Sequence, residues 1–219
     1  MEISVSTRLF DAVDGVFPAR KRNSANSQAT LIKVGIETMQ SKRLGEIAIP
    51  ELAKSCGVSV GAFYARFRDK EAYFRALQAQ TIYENSLLIQ KTLHDAELSA
   101  LLPTVILDRI IRLLITIFNS PYRGVLRESY MRSQGDIDYW VDMRASGREI
   151  QQKLVDTLKH HLPELSEQEA EIRLRFAYQT MVGILQNDLV NSFHVFKASD
   201  EELATELNQM LGKYLGLKL

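Results

Sequence analysis

The sequence predicts an all-α protein, with a small N-terminal three-helix domain followed by a larger helical body. Three observations point there. Apolar residues recur at helical spacing nearly throughout, and no run alternates apolar and polar residues long enough to nominate a sheet. The 219 residues include only 5 Pro and 11 Gly, so breakers are scarce. Two Ser-x-x-Glu capping boxes, Ser166 to Glu169 and Ser199 to Glu202, mark helix starts, with Leu165 placed as a staple before the first.

Residues 1–27 are expected to be a mobile extension ending in the polar run Arg20-Lys21-Arg22-Asn23-Ser24-Ala25-Asn26-Ser27. A helix over 28–42 follows, with Leu31, Val34, Thr38 and Met39 on one face. Short helices fit 50–56 and 59–67, Pro50 suiting a first helical position. Asp69 can accept from the free amides of the next first turn, which predicts a long helix from 69 to 93. Further helices are expected over 100–119, 121–133, 137–161, 167–191 and 200–215. The domains are then 28–75 and 76–219, without a repeat period.

Composition narrows the class. With 46% hydrophobic and 25% charged residues the chain reads as an ordinary globular protein. Cys56 is the one cysteine, which excludes an intramolecular disulfide and suits a cytoplasmic protein. His94, His160, His161 and His194 show no metal-ligand spacing, and the pair beside Pro163 reads as helix-end capping, so neither a metal nor another cofactor is expected. The opening residues lack the basic start and unbroken apolar stretch of a secretory signal. The most apolar stretch, 105–118, is interrupted by Asp108, Arg109 and Arg112 and is too short for a bilayer, so no membrane partner is expected. The net charge of zero hides an asymmetry. Residues 1–80 carry 12 Lys and Arg against 8 Asp and Glu, a net +4, and the remainder carries 15 against 19, a net −4. A basic end on an acidic body suits a protein that turns one end toward phosphates.

The segment from Ile49 to Phe67 has the mechanics of a helix-turn-helix. Ala53 is small where two helices must approach, Gly57 supplies a left-handed turn residue, Val58 is the apolar plug beneath it, and Ser59 caps the second helix. Leu52, Val58, Phe63 and Phe67 can bury together, leaving Val60, Gly61 and Tyr64 outward. Small residues at the start of that helix allow close entry into a major groove.

The run Ser59-x-Gly61-x-Phe63-Tyr64-x-x-Phe67-x-Asp69-Lys70-Glu71 resembles the DNA-binding signature of the TetR family of bacterial regulators, and the likeness covers about residues 28–77. The resemblance implies that the helix holding Ser59 to Arg66 is the recognition helix and that Tyr64 and Lys70 touch phosphate. It implies a ligand-responsive transcriptional repressor that binds a palindromic operator as a homodimer and is released by a small-molecule inducer, and not an enzyme. The DNA-binding set is Ser59, Val60, Gly61, Ala62, Tyr64, Arg66 and Lys70. The chain departs from the family pattern at Ala48, where a Thr or Ser cap is usual, at Val60 and Ala62, which replace Lys and Thr, and at Arg43, where a Gly often ends the first helix.

Other expectations concern the body. Tyr83, Phe118, Tyr122, Tyr130, Trp140, Met143 and Tyr178 are expected to supply an apolar or aromatic inducer pocket with a few polar tips. Leu174, Ala177, Met181 and Ile184, with Leu207, Met210, Leu211 and Tyr214, are expected to form a two-fold four-helix interface, small residues such as Thr180 and Gly183 allowing close approach. Arg20, Lys21 and Arg22 form a possible arm along DNA, the alternative being a solvated tail. Two readings from other classes stand beside this one. Gly57-Val58-Ser59-Val60-Gly61 spells the G-x-S-x-G elbow of serine hydrolases, which requires a buried strand before the serine, and an all-α bundle can also serve as a scaffold for protein partners.

Overall fold

Most helices form close to the expected bounds, the first beginning at Arg22 rather than residue 28, in the computed structural model, which describes residues 5, 7–19, 22–94, 98, 100–191 and 195–217. They are α1 (Arg22–Met39), α2 (Ile49–Ser55), α3 (Val60–Tyr64), α4 (Lys70–Thr92), α5 (Pro103–Phe118), α6 (Arg123–Arg132), α7 (Val141–Leu158), α8 (Glu167–Val190) and α9 (Glu201–Leu215). No helix among the described residues is long and apolar enough to cross a membrane. The chain divides into two units. The first holds Met1–Glu84 and Ser120–Asp136, and the second Asn85–Asn119 and Ile137–Leu219.

The first unit is built on an aromatic base. Phe63, Phe67 and Tyr73 are fully buried with ring centroids 5.0–5.2 Å apart, mostly edge to face. Leu31, Ile32, Ile36 and Met39 of α1 close over them. The Tyr73 hydroxyl donates to the Leu31 carbonyl at 2.7 Å, which ties α4 to α1 inside the core.

α6 belongs to this unit, although the sequence suggested a body beginning at residue 76. The cause is a close backbone approach. A Cβ on Gly124 would stand 2.0 Å from the Met39 carbonyl oxygen, so only glycine lets α6 meet the end of α1. Arg127 donates to the same carbonyl at 3.2 Å. Glu128, buried, accepts from Arg43 at 2.6 Å and Arg132 at 2.9 Å, and Arg132 reaches Glu71 at 2.6 Å. Burial raises the Glu128 pKa, but the hydrogen bonds from Arg43 and Arg132 outweigh it and hold the carboxyl below the ordinary glutamate range.

The extension expected to be mobile also packs here. Thr7–Ala12 form a 3₁₀ turn, Phe10 is 1% exposed, and Val16 makes an antiparallel bridge to Phe67. Arg20 and Lys21 of the expected arm lie outside the described residues, and Arg22 begins α1.

The second unit is held by apolar faces. Ile106, Leu107, Ile110, Ile111 and Leu114 of α5 are buried, and α5 packs against α7, α8 and α9. The first capping box forms as expected, Glu169 N–H donating to Ser166 Oγ at 3.3 Å and Ser166 N–H to Glu169 Oε2 at 3.0 Å. The second does not. α9 is capped one residue later, at Asp200, whose carboxylate accepts from Lys197 N–H at 2.8 Å and from the Ser199 hydroxyl at 3.2 Å. The helix expected over 137–161 is divided by 3₁₀ turns at Ile137–Trp140 and Lys159–His161.

Candidate nucleic-acid interface

The turn between α2 and α3 follows from three residues. Gly57 has φ +66°, a left-handed backbone that closes α2 through Gly57 N–H to Lys54 O and Val58 N–H to Ala53 O, both 3.0 Å. Ala53 is buried where α2 approaches α3, and Val58 is half-buried. Ser59 then starts α3, its Oγ accepting from Ala62 N–H at 3.0 Å. With this hydroxyl committed to a helix cap, and helix rather than strand preceding it, the hydrolase elbow is not formed. Ala48 caps α2 without a side-chain hydrogen bond, and Pro50 at the first turn needs no amide partner.

α3 presents a small, shallow surface. Ser59, Val60, Gly61 and Tyr64 are exposed, Ala62 is half-buried, and Phe63 alone points into the core. Tyr64 is 51% exposed, its ring edge-on to Phe63 at 5.3 Å and 87°, so the hydroxyl stands outward on a rigid base. Two residues of the expected set are held otherwise. Arg66 is half-buried and its guanidinium donates to the adjacent Ala65 carbonyl at 2.9 Å. Lys70 donates to the carbonyls of Leu44 and Gly45 at 3.3 and 3.4 Å, securing the 3₁₀ turn Leu44–Glu46. Asp69 starts α4 by accepting from Ala72 N–H at 2.7 Å, and that bond, with Arg68 beside it, holds its carboxyl below the ordinary range.

The expected pocket residues are divided between the two units. Tyr83, Tyr122 and Tyr130 lie in the first, and Phe118, Trp140, Met143 and Tyr178 in the second. Tyr122 is fully buried beside Gln80 and Glu84, and burial pushes its pKa up to about 12. Tyr178 is raised as well, by burial, and Tyr83 is exposed. In the second unit an open groove of 590 Å³ is lined by Ile89, Leu93, His94, Glu149, Lys153 and Asp156, none of them from the expected set.

The expected interface residues require a correction of register. Leu174, Ala177, Met181, Leu207 and Leu211 are buried within the subunit, because α8 must first fill its own core, and they have no surface left for a partner. Ile184 is half-buried, while Met210 and Tyr214 are exposed. The apolar surface left outward on α8 is instead Ile172, Phe176 and Val190, with Gly183 in line, and Phe176 lies 5.7 Å from the Tyr214 ring of α9.

Sequence reasoning missed the Arg43, Glu128, Arg132 and Glu71 network and the packed residues 10–17. The four-residue spacing of Glu128 and Arg132 was legible, but their partners are 61 and 85 residues away.

Residues 31–77 match the family model of the bacterial regulatory proteins, tetR family. No curated protein sequence matches the chain. Its fold is that of solved TetR-type regulators. A TetR-family transcriptional regulator from Mesorhizobium loti superposes with a TM-score of 0.66 at 15% identity, covering 90% of this chain and 98% of that one. GusR from Salmonella enterica gives 0.60 at 15%, covering 88% and 96%. A TerR/AcrR-family transcriptional regulator from Aquifex aeolicus gives 0.55 at 16%, covering 87% and 98%.

Proposed function

From a first unit that carries the N-terminal domain of the tetR family of bacterial regulatory proteins, we infer that the chain is a ligand-responsive transcriptional repressor acting as a homodimer on a palindromic operator. The observation that carries this reading is α3: a helix with Ser59, Val60, Gly61 and Tyr64 outward over a buried aromatic base. Small outward residues let the backbone approach base edges, and the methyls of Val60 and Ala62 suit thymine contacts, with DNA shape supplying further discrimination. Tyr64 and Lys70 are the phosphate-contacting pair. Lys70 exchanges its carbonyl partners for a phosphate oxygen at little cost, since both are hydrogen-bond acceptors within reach of a flexible stem.

One short helix makes too few contacts for useful specificity, so two heads about 34 Å apart act on one duplex. The outward apolar face of Ile172, Phe176, Val190, Met210 and Tyr214 supports a two-fold pairing of α8 and α9 with their copies. An apolar or aromatic effector held by the aromatic and methionine side chains of the body favours a different separation of the heads from that favoured by the operator. A coupling of about 1–3 kcal/mol changes affinity about 5- to 150-fold. The experiment is selection of duplexes from a random-sequence library, followed by titration across salt concentrations. The expected result is a palindromic consensus whose binding weakens steeply as salt rises. Failure to enrich any duplex overturns the reading.

A further inference from the structure

A helix of five residues has no stability of its own, because nucleation costs more than so few hydrogen bonds return. α3 is such a helix, so its orientation is set by whatever holds its two ends. The turn at Gly57 and the Ser59 cap hold the first. At the second end the chain leaves the helix over residues 65–69, and there it meets a segment from the beginning of the chain. Phe17 N–H donates to the Arg66 carbonyl and Arg68 N–H to the Gly15 carbonyl, both at 2.8 Å. These two bonds make the antiparallel bridge of Val16 to Phe67.

The bridge is anchored on both sides. Phe10 is buried in the core upstream of it. Gly15 has φ +75°, and a Cβ there would lie 2.8 Å from the Cβ of Ala72, so the segment lies directly against the start of α4. The Asp14 carboxylate accepts from Arg68 at 3.0 Å and from Arg75 at 3.4 Å. Asp14 and Arg68 are exposed and Arg75 is half-buried, so the pairs contribute little to stability, but they aim the segment across the joint between α3 and α4.

We propose that residues 10–17 are a strap that positions the recognition helix for DNA, acting through backbone pairing with Arg66 and Arg68, with the Phe17 amide as its positioning group. The proposal rests on the DNA-binding reading of α3. The buried core of the unit, Leu31, Ile36, Phe63 and Tyr73, does not need the Phe17 amide in order to pack. Binding is more demanding than packing, because hydrogen bonds to base edges need donor and acceptor about 2.7–3.2 Å apart and weaken steeply once the angle at the hydrogen falls below about 120°. Losing the bridge therefore costs affinity before it costs the fold.

The probe is a duplex enriched by the wild-type protein from a random library. Phe17→Pro removes the amide donor and suits the extended backbone of the preceding Val16, whereas Phe17→Ala keeps the donor and removes only the half-exposed ring. Phe17→Pro is expected to bind about tenfold more weakly or worse, one hydrogen bond being lost in each of two heads. Its helical circular dichroism should be unchanged and its melting point within a few degrees, with Phe17→Ala within about twofold of wild type. Gly15→Ala disturbs the same bridge through a different atom, and its affinity should fall likewise. Wild-type affinity in a folded Phe17→Pro, or in a folded Gly15→Ala should Phe17→Pro unfold, overturns the proposal. An equal loss in Phe17→Ala overturns it too, by assigning the effect to the ring. If the wild-type protein enriches no duplex, the DNA-binding reading falls first and the strap with it.

Discussion

The two units are held together by different kinds of interaction. In the first, elements distant in sequence are tied by directional polar bonds: Tyr73 to Leu31, Arg43 to Glu128, Arg132 to Glu71, Gln78 to Ser129 at 2.9 Å, and the bridge of Val16 to Phe67. In the second, packing rests on aliphatic faces, and the polar bonds between distant elements, Arg112 to Glu201 and Asn208 to Asp108 at 3.1 Å, are exposed or half-buried, as are ion pairs such as Lys159 with Glu167 and Arg175 with Glu171. Large apolar side chains remain outward in both, among them Val60 and Tyr64 in the first and Ile172 and Phe176 in the second. Hydrogen bonds and close backbone contacts select one geometry, whereas apolar contact is non-directional and tolerates several. A recognition surface needs the first property. On the proposed function, a unit that pairs with its copy and takes an effector gains from the second.

That contrast is open to direct attack. Its sharpest form compares two helical glycines. Gly124→Val in the first unit drives a side chain into the Met39 backbone, which cannot yield, and about 3 kcal/mol or more of stability should be lost by chemical denaturation. At Gly183, in the second unit, a Cβ meets nothing within 4 Å.

Next in size is Glu128→Gln, which leaves Arg43 and Arg132 without their buried carboxylate and should cost about 1–3 kcal/mol. The same residue carries a pH signature. Its folded pKa is depressed, so below the ordinary value of about 4.3 the unfolded chain takes up the proton first. Its stabilisation is complete above that pH and is lost as pH falls through the folded pKa. A denaturation series from neutral to acid pH should show this component in the wild type and its absence in Glu128→Gln.

Phe176→Glu tests the outward face of α8. It should leave subunit helicity intact while weakening self-association about 30-fold, about 2 kcal/mol, in sedimentation velocity. Unchanged association would remove the proposed interface. Ser59→Ala should cost about 1 kcal/mol through loss of the α3 cap. Smallest is Gly183→Ala, expected to be neutral or to raise helix stability by up to about 1 kcal/mol. A loss there comparable with that at Gly124 would erase the distinction between the units.

Legibility followed the range of the interactions. Helix bounds set by neighbouring residues came within a few positions, as with Ser166 and Glu169, Gly57, and Ser59. The outward residues of α3 were legible because the helical period and the buried Phe63 decide which face remains. The stripe on α8 was misjudged by the same period. An apolar residue at helical spacing can serve its own core or a partner, and the sequence does not mark which: Leu174 took the core and Phe176 the surface. The expected pocket residues fall three in the first unit and four in the second, a division that aromatic composition alone does not mark.

By itself the sequence determined the all-α class, the helix-turn-helix and its resemblance to the TetR family, because these depend on period, caps and turn residues a few positions apart. Only the tertiary structure decided that α6 joins the first unit, that residues 10–17 close over the joint after α3, and which apolar side chains stay outward. Those outcomes depend on contacts between residues far apart in the chain, such as Gly124 with Met39 and Phe17 with Arg66, and local pattern carries no record of which distant partner will arrive.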